Sequence, residues 1–132
     1  MSVQRKEIYT CPVEATLGVV GGKWKILVMY HLQSGAKRYG ALRRLMPEVT
    51  EKVLSENLKA LESDRLLIRT VHYERPPRVE YQATDIGKRL MPLIESVNQW
   101  GHEYLKEINH AVPEKAMPPA RVKKSFSQSA QV

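Results

Sequence analysis

Apolar residues recur at helical spacing through the first half of the chain. The clearest instance is residues 50–63, TEKVLSENLKALES. Leu54, Leu58 and Leu61 fall at i, i+4 and i+7, one face of an α-helix. Lys52, Glu56, Lys59 and Ser63 point roughly the opposite way, with Ser55 on the flank. Thr50 is expected to cap the helix, because its hydroxyl can accept an orphan N–H of the first turn. Pro47 separates this helix from the one before it. Residues 38–46, RYGALRRLM, predict that earlier and shorter helix. Tyr39, Leu42, Leu45 and Met46 lie on one side, Arg43 sits at the edge of that side, and Arg44 projects away. Two short helices joined by a tight turn, the second polar on its outer face, form a helix-turn-helix pattern. Taken alone, residues 50–63 also suit an ordinary amphipathic surface helix.

The flanking elements decide between these. Cys11-Pro12-Val13-Glu14 reads as a helix start, with Pro at the first helical position and Glu at the positive end of the dipole. That helix runs through Ala15, Leu17 and Val20 and ends at Gly21-Gly22. Residues 23–32, KWKILVMYHL, predict a buried helix with Trp24, Leu27, Val28 and His31 on one face. Residues 66–73, LLIRTVHY, predict a strand, and the alternation from Val79 to Ala83 predicts its return strand. Pro76-Pro77 cannot sit inside a paired strand, so they mark a turn that carries Arg75 and Arg78. A hairpin directly after a helix-turn-helix is a wing. Thr84 is expected to cap a last long helix. Its stripe is Ile86, Leu90, Leu93, Ile94, Val97, Trp100, Tyr104 and Ile108, with a kink at Pro92.

The fold class is therefore α+β and mostly helical: a winged helix-turn-helix with a two-stranded wing and N- and C-terminal dimerisation helices. Residues 1–10 are expected to form a flexible arm, 11–110 the DNA-binding and dimerisation domain, and 111–132 a weakly ordered basic tail. The stripe over 86–108 is too long and too apolar for so small a core, which predicts a homodimer through it and the Cys11 helix; Trp100 and Tyr104 covering the chain's own Trp24 helix is the alternative.

Composition sharpens the reading. The chain has 132 residues, 42% hydrophobic, with a net charge of +7. That suits one domain and favours a polyanionic partner. There is no 18-residue apolar run and no leader-like N-terminus, so no membrane partner and a cytoplasmic location are expected. One cysteine excludes an internal disulfide framework. The four histidines, at 31, 72, 102 and 110, show no i, i+3 or i, i+4 pairing, and no zinc set, phosphate loop or catalytic constellation assembles. No enzyme activity, metal or cofactor is expected.

On the helix-turn-helix reading the partner is double-stranded DNA with a near-palindromic operator. Lys52, Ser55, Glu56 and Lys59 should enter the major groove behind the Thr50 cap, Lys52 donating to guanine and Glu56 accepting from cytosine. Glu56 as a solvated partner of Lys52 or Lys59 remains the alternative. Arg43 and Arg44, with Lys23 or Lys25, should hold phosphates, and Arg75 and Arg78 should reach phosphates or the minor groove from the wing. Cys11, at a helix N-terminus, is a candidate switch, because the dipole and unpaired N–H groups there stabilise a thiolate while Glu14 competes for them. A small buried residue is the alternative at Cys11. A winged helix that binds protein instead of DNA is the alternative function, and Arg43, Arg44, Arg75 and Arg78 count against it.

The chain resembles the HxlR-type bacterial transcription regulators, a winged-helix group related to MarR-like regulators. The resemblance rests on Cys11-Pro12-Val13-Glu14, Gly21-Gly22-Lys23-Trp24, Arg38-Tyr39-Gly40 leading into Leu42-Arg43-Arg44, Leu54-Ser55, Leu58 through Leu61-Glu62, Pro76-Pro77-Arg78-Val79-Glu80-Tyr81, Thr84 with Gly87, and Trp100-Gly101. It implies a dimeric DNA-binding protein and, from some members, a cysteine at position 11 that senses electrophiles, quinones or oxidants. The chain departs from the pattern at Ala41, where an acidic residue is usual, and at Arg65, where Gly or Asn is common and a left-handed turn would be slightly strained.

Overall fold

The computed structural model describes residues 9–114 and 116–119. The chain divides into two compact units, residues 1–91 and 92–132.

In the first unit, α1 (Pro12–Val20) starts at its expected N-cap, Cys11, whose Sγ accepts from the Glu14 N–H. The left-handed residue after it is Gly22, at φ 93°, while Gly21 is extended. α2 (Lys25–Leu32) buries Val28, Met29 and Leu32; of the expected face of Trp24, Leu27, Val28 and His31, Val28 is buried, Trp24 and His31 are half-buried and Leu27 is exposed. Its sequence, KILVMYHL, is apolar nearly all round, so periodicity could not choose a side. Contacts with later elements choose it. The Met29 methyl approaches Gly87, where an added Cβ would also stand 2.1 Å from the Leu66 carbonyl, so only glycine fits. Gln33 Nε2 ties the same place together, donating to the carbonyls of Met29 and Gly87 at 3.0 Å each.

α3 (Tyr39–Leu45) and α4 (Glu51–Ser63) form the helix-turn-helix. Leu42 and Met46 are buried, as are Leu54, Leu58 and Leu61, so the i, i+4, i+7 stripe of α4 faces the core. Each fully buried leucine contributes about 1.5–3 kcal/mol through its loss of water contact. Arg65 takes up the turn after α4 at φ 66°, the left-handed conformation expected there.

The wing is β2 (Leu67–His72) and β3 (Arg78–Ala83), antiparallel with Leu67 opposite Ala83 and His72 opposite Arg78. These are the two strands expected of the hairpin. A short strand, β1 (Lys37–Arg38), pairs with β3 and makes a three-stranded sheet of order β1-β3-β2. Two residues carry no readable alternation, which is why the sequence did not signal it.

The expected long helix from Thr84 is broken. α5 (Asp85–Lys88), capped by Thr84, ends at Arg89, and α6 begins at Met91 and runs to Glu107. Pro92 lies in the first turn of α6 and does not kink a continuous helix. In that turn its missing N–H has no helical partner to lose.

Within the second unit, Ile94 of α6 is buried, while Val97, Trp100 and Tyr104 of α6 and Ile108 just after it are exposed, at i, i+3, i+7 and i+11. The Trp100 and Tyr104 rings stack at 5.3 Å with planes 7° apart. Asn98 Nδ2 donates to the Pro118 carbonyl at 2.8 Å, and His102 Nε2 lies 2.8 Å from the Met117 carbonyl, so residues 117–118 lie along α6. The rest of the expected tail after residue 119, and residues 1–8 of the expected arm, lie outside the described residues. Tyr9 is described, and its ring comes within 3.2 Å of where a Cβ on Gly18 would stand.

Candidate nucleic-acid interface

α4 has two chemically distinct sides. Thr50 Oγ1 accepts the Val53 N–H at 3.2 Å and fixes the helix start. From there the buried leucines orient the helix, and Lys52, Glu56 and Lys59 are left exposed with Ser55 half-buried beside them. Among the described residues no ion pair joins Glu56 to Lys52 or Lys59. A carboxylate acceptor therefore stands between two ammonium donors, all facing water, which is a surface able to take hydrogen bonds from and give them to base edges.

The turn entering α4 is held by α3. Arg43 Nη1 donates to the Val49 carbonyl, and Tyr39 Oη donates to the Glu51 carbonyl at 3.4 Å. Arg43 is thus half-buried and engaged with backbone, whereas Arg44, its neighbour, is exposed. Tyr39 was legible only as an apolar-side residue; its spacing to Arg43, one helical turn, was the available signal.

Two other expected contacts are disposed differently. Lys25 is 7% exposed. It occupies the first position of α2 on the same side as Val28, Met29 and Leu32, so its stem is covered. Lys23, by contrast, is exposed with its ammonium 4.7 Å from the Trp24 ring centroid. Arg78 is the first residue of β3 and not part of a free tip. Its Nη1 lies 3.0 Å from Glu74 Oε2 and its Nε 3.0 Å from Glu80 Oε1, and His72 Nε2 is 3.5 Å from the same Glu80 oxygen. Two carboxylates compensate its charge. Arg75 in the turn is exposed.

Cys11 is exposed, and the Glu14 N–H reaches its Sγ at 3.4 Å. The Glu14 carboxylate accepts from the Thr10 hydroxyl. His31, half-buried, has its pKa lowered, first by burial and then by the charge of Lys37. Among the described residues no cluster of His, Cys, Asp or Glu could hold a metal, and no helix is long and apolar enough to cross a membrane.

Comparison with known proteins agrees with this geometry. The model of the HxlR-like helix-turn-helix family matches residues 19–109. The uncharacterized HTH-type transcriptional regulator YdeP of Bacillus subtilis is 42% identical over 99 residues, 75% of this chain and 77% of that protein. The redox regulator HypR in its oxidized form is 42% identical with a TM-score of 0.66, over 70% of this chain and 96% of that one. In its reduced form the values are 40%, 0.68, 74% and 96%. These proteins are described as regulators, not enzymes. With a winged helix-turn-helix fold and a family match over most of its length, this chain belongs to the HxlR-like helix-turn-helix family of transcriptional regulators.

Proposed function

We propose that the protein is a homodimeric regulator that binds double-stranded DNA in a sequence-specific way and responds to electrophiles or oxidants through Cys11. One observation carries the DNA-binding reading: α4 is pinned by three buried leucines and a capping threonine while Lys52, Glu56 and Lys59 stand unpaired on its far side. In this reading α4 enters the major groove. Lys52 donates to guanine, Glu56 accepts from a cytosine amino group, and Ser55 and Lys59 flank them. Arg44, Lys23 and Arg75 neutralise phosphates. Arg78, already compensated by Glu74 and Glu80, contributes less.

The dimer is supported by two apolar faces, Val13 with Leu17 on α1 and the Trp100 stripe on α6, all exposed. In a two-fold dimer the recognition helices stand about one helical turn of DNA apart, roughly 34–36 Å, over a near-palindromic operator. The sensing role of Cys11 is supported by its exposure at the N-cap of α1 and by the likeness to a redox regulator. With one cysteine in the chain, the chemistry is an adduct with an electrophile, a mixed disulfide with a small thiol, or a bridge to the partner subunit's Cys11.

The test is gel retardation of the protein's own upstream DNA and of a random duplex at two salt concentrations. Preference for the upstream DNA that persists as salt rises is expected. Glu56→Ala should change which sequences bind, at about 1–3 kcal/mol for a lost base contact. Equal, weak binding of both duplexes by the wild type would reject the reading.

A further inference from the structure

We infer that Tyr39 and Arg43 are positioning residues that set the direction in which the recognition helix leaves the turn, and that Arg43 acts on protein backbone and not on DNA phosphate. This rests on the DNA-binding reading above and assigns two of its residues a separate task. The two side chains stand one helical turn apart on α3, at i and i+4, and so project side by side. Arg43 takes the Val49 carbonyl and Tyr39 takes the Glu51 carbonyl. Those two carbonyls flank Thr50, the residue that caps α4. The first turn of α4 is therefore held from within by its own cap and from outside by α3.

The arrangement suits its residue types. Val49 precedes the helix, so its carbonyl takes no part in the i→i+4 ladder and needs a partner from elsewhere. A guanidinium supplies a charge-assisted bond, stronger than a neutral one, and its charge is permanent. The Val49 side chain is buried, which anchors the other side of the same residue. α4 has 13 residues, so it is about 20 Å long, and a tilt of about 5° at its start moves the far end by roughly 2 Å. Such a shift exceeds the tolerance of the hydrogen bonds Lys52, Glu56 and Lys59 would make. Arg44, adjacent in sequence and exposed, makes no such bond and is the internal control.

The experiment measures binding of upstream and random duplexes over a range of salt for the wild type, Arg43→Lys, Arg43→Gln, Tyr39→Phe and Arg44→Ala. Arg43→Lys keeps the charge and loses the planar fork; Tyr39→Phe loses one hydroxyl. Each is expected to lower the preference for upstream over random DNA by about tenfold, the effect of one lost hydrogen bond. The salt dependence should stay that of the wild type in these and in Arg43→Gln. Arg44→Ala should weaken both duplexes alike and flatten the salt slope by about one unit. The inference is overturned if Arg43→Lys matches the wild type, or if Arg43→Gln flattens the slope as Arg44→Ala does. Should the Arg43 variants unfold on heating below the assay temperature, Tyr39→Phe, which leaves the ring in place, decides alone. A wild type without preference between the duplexes would instead remove the DNA-binding reading, and this inference with it.

Discussion

Replacing Trp100 by alanine should break the dimer without unfolding the chain. Trp100 is 65% exposed and Tyr104, stacked on it, 48%. A tryptophan side chain presents about 250 Å² when free, so roughly 160 Å² of this one remains to be covered. At about 25 cal/mol per Å² that area is worth about 4 kcal/mol per protomer. A two-fold interface uses it twice, giving about 8 kcal/mol as an upper bound, since ordering costs at the interface offset part of it. Even half of that raises the dimer dissociation constant about a thousandfold. The side chain stands largely in water, so its loss should leave the melting of the monomer little changed. Sedimentation equilibrium of wild type and Trp100→Ala across nanomolar to hundred-micromolar protein would measure the shift, with operator binding followed in parallel. A variant that dimerises as tightly as the wild type would show that the stripe is not the interface. A wild type that sediments as a monomer at micromolar concentration would dispose of the dimer altogether.

Thr50→Ala removes the acceptor of the Val53 N–H and should cost about 1 kcal/mol, seen as a fall in Tm of several degrees. Unchanged melting would mean the cap is not stabilising. His31 is held neutral more readily in the folded chain than in the unfolded one, so the unfolded chain binds more protons on acidification. Stability should be flat above neutral pH, decline as pH falls through the ordinary histidine value of 6.5, and level off below the lowered folded value. His31→Asn should flatten that part of the profile in urea titrations, and a profile identical to the wild type would contradict the assignment. Cys11→Ser should keep operator binding but lose its response to diamide or a quinone, while equal responses in both proteins would return Cys11 to a purely structural role.

Elements with a single strong period were legible in the chain, and those decided by contact were not. The stripe of α4 declares its buried side because Lys, Glu and Ser fill every opposite position. α2 is apolar nearly all round, and contacts with elements far along the chain, among them the close approach of Met29 to Gly87, 58 positions further on, select Val28, Met29 and Leu32 as the inward face. Pro92 was readable as an interruption, yet a proline inside a helix and one at a helix start differ only in where the preceding helix stops. Here Arg89 ends α5, with its N–H bonded to the Asp85 carbonyl, before the proline is reached. β1 exists because β3 offers Lys37 and Arg38 a free edge at Tyr81 and Glu80, which is information held far along the chain.

The same distinction governs the candidate interface. A net charge of +7 suggests a broadly cationic surface, but the fold spends several of those charges before DNA could meet them. Lys25 is covered, Arg43 holds a carbonyl, and Arg78 sits between Glu74 and Glu80. Of the expected contacts, Lys52 and Lys59 on α4, Arg44, Lys23 and Arg75 stay exposed. On the proposed reading, the exposed carboxylate of Glu56 would carry more weight than its single charge implies. It would repel phosphate and guanine acceptors wherever α4 is misregistered, and would be relieved only opposite a donor such as a cytosine amino group. On that reading, attraction from the lysines would bring the helix to DNA of any sequence, and the glutamate between them would make most of those sequences unfavourable places to stay.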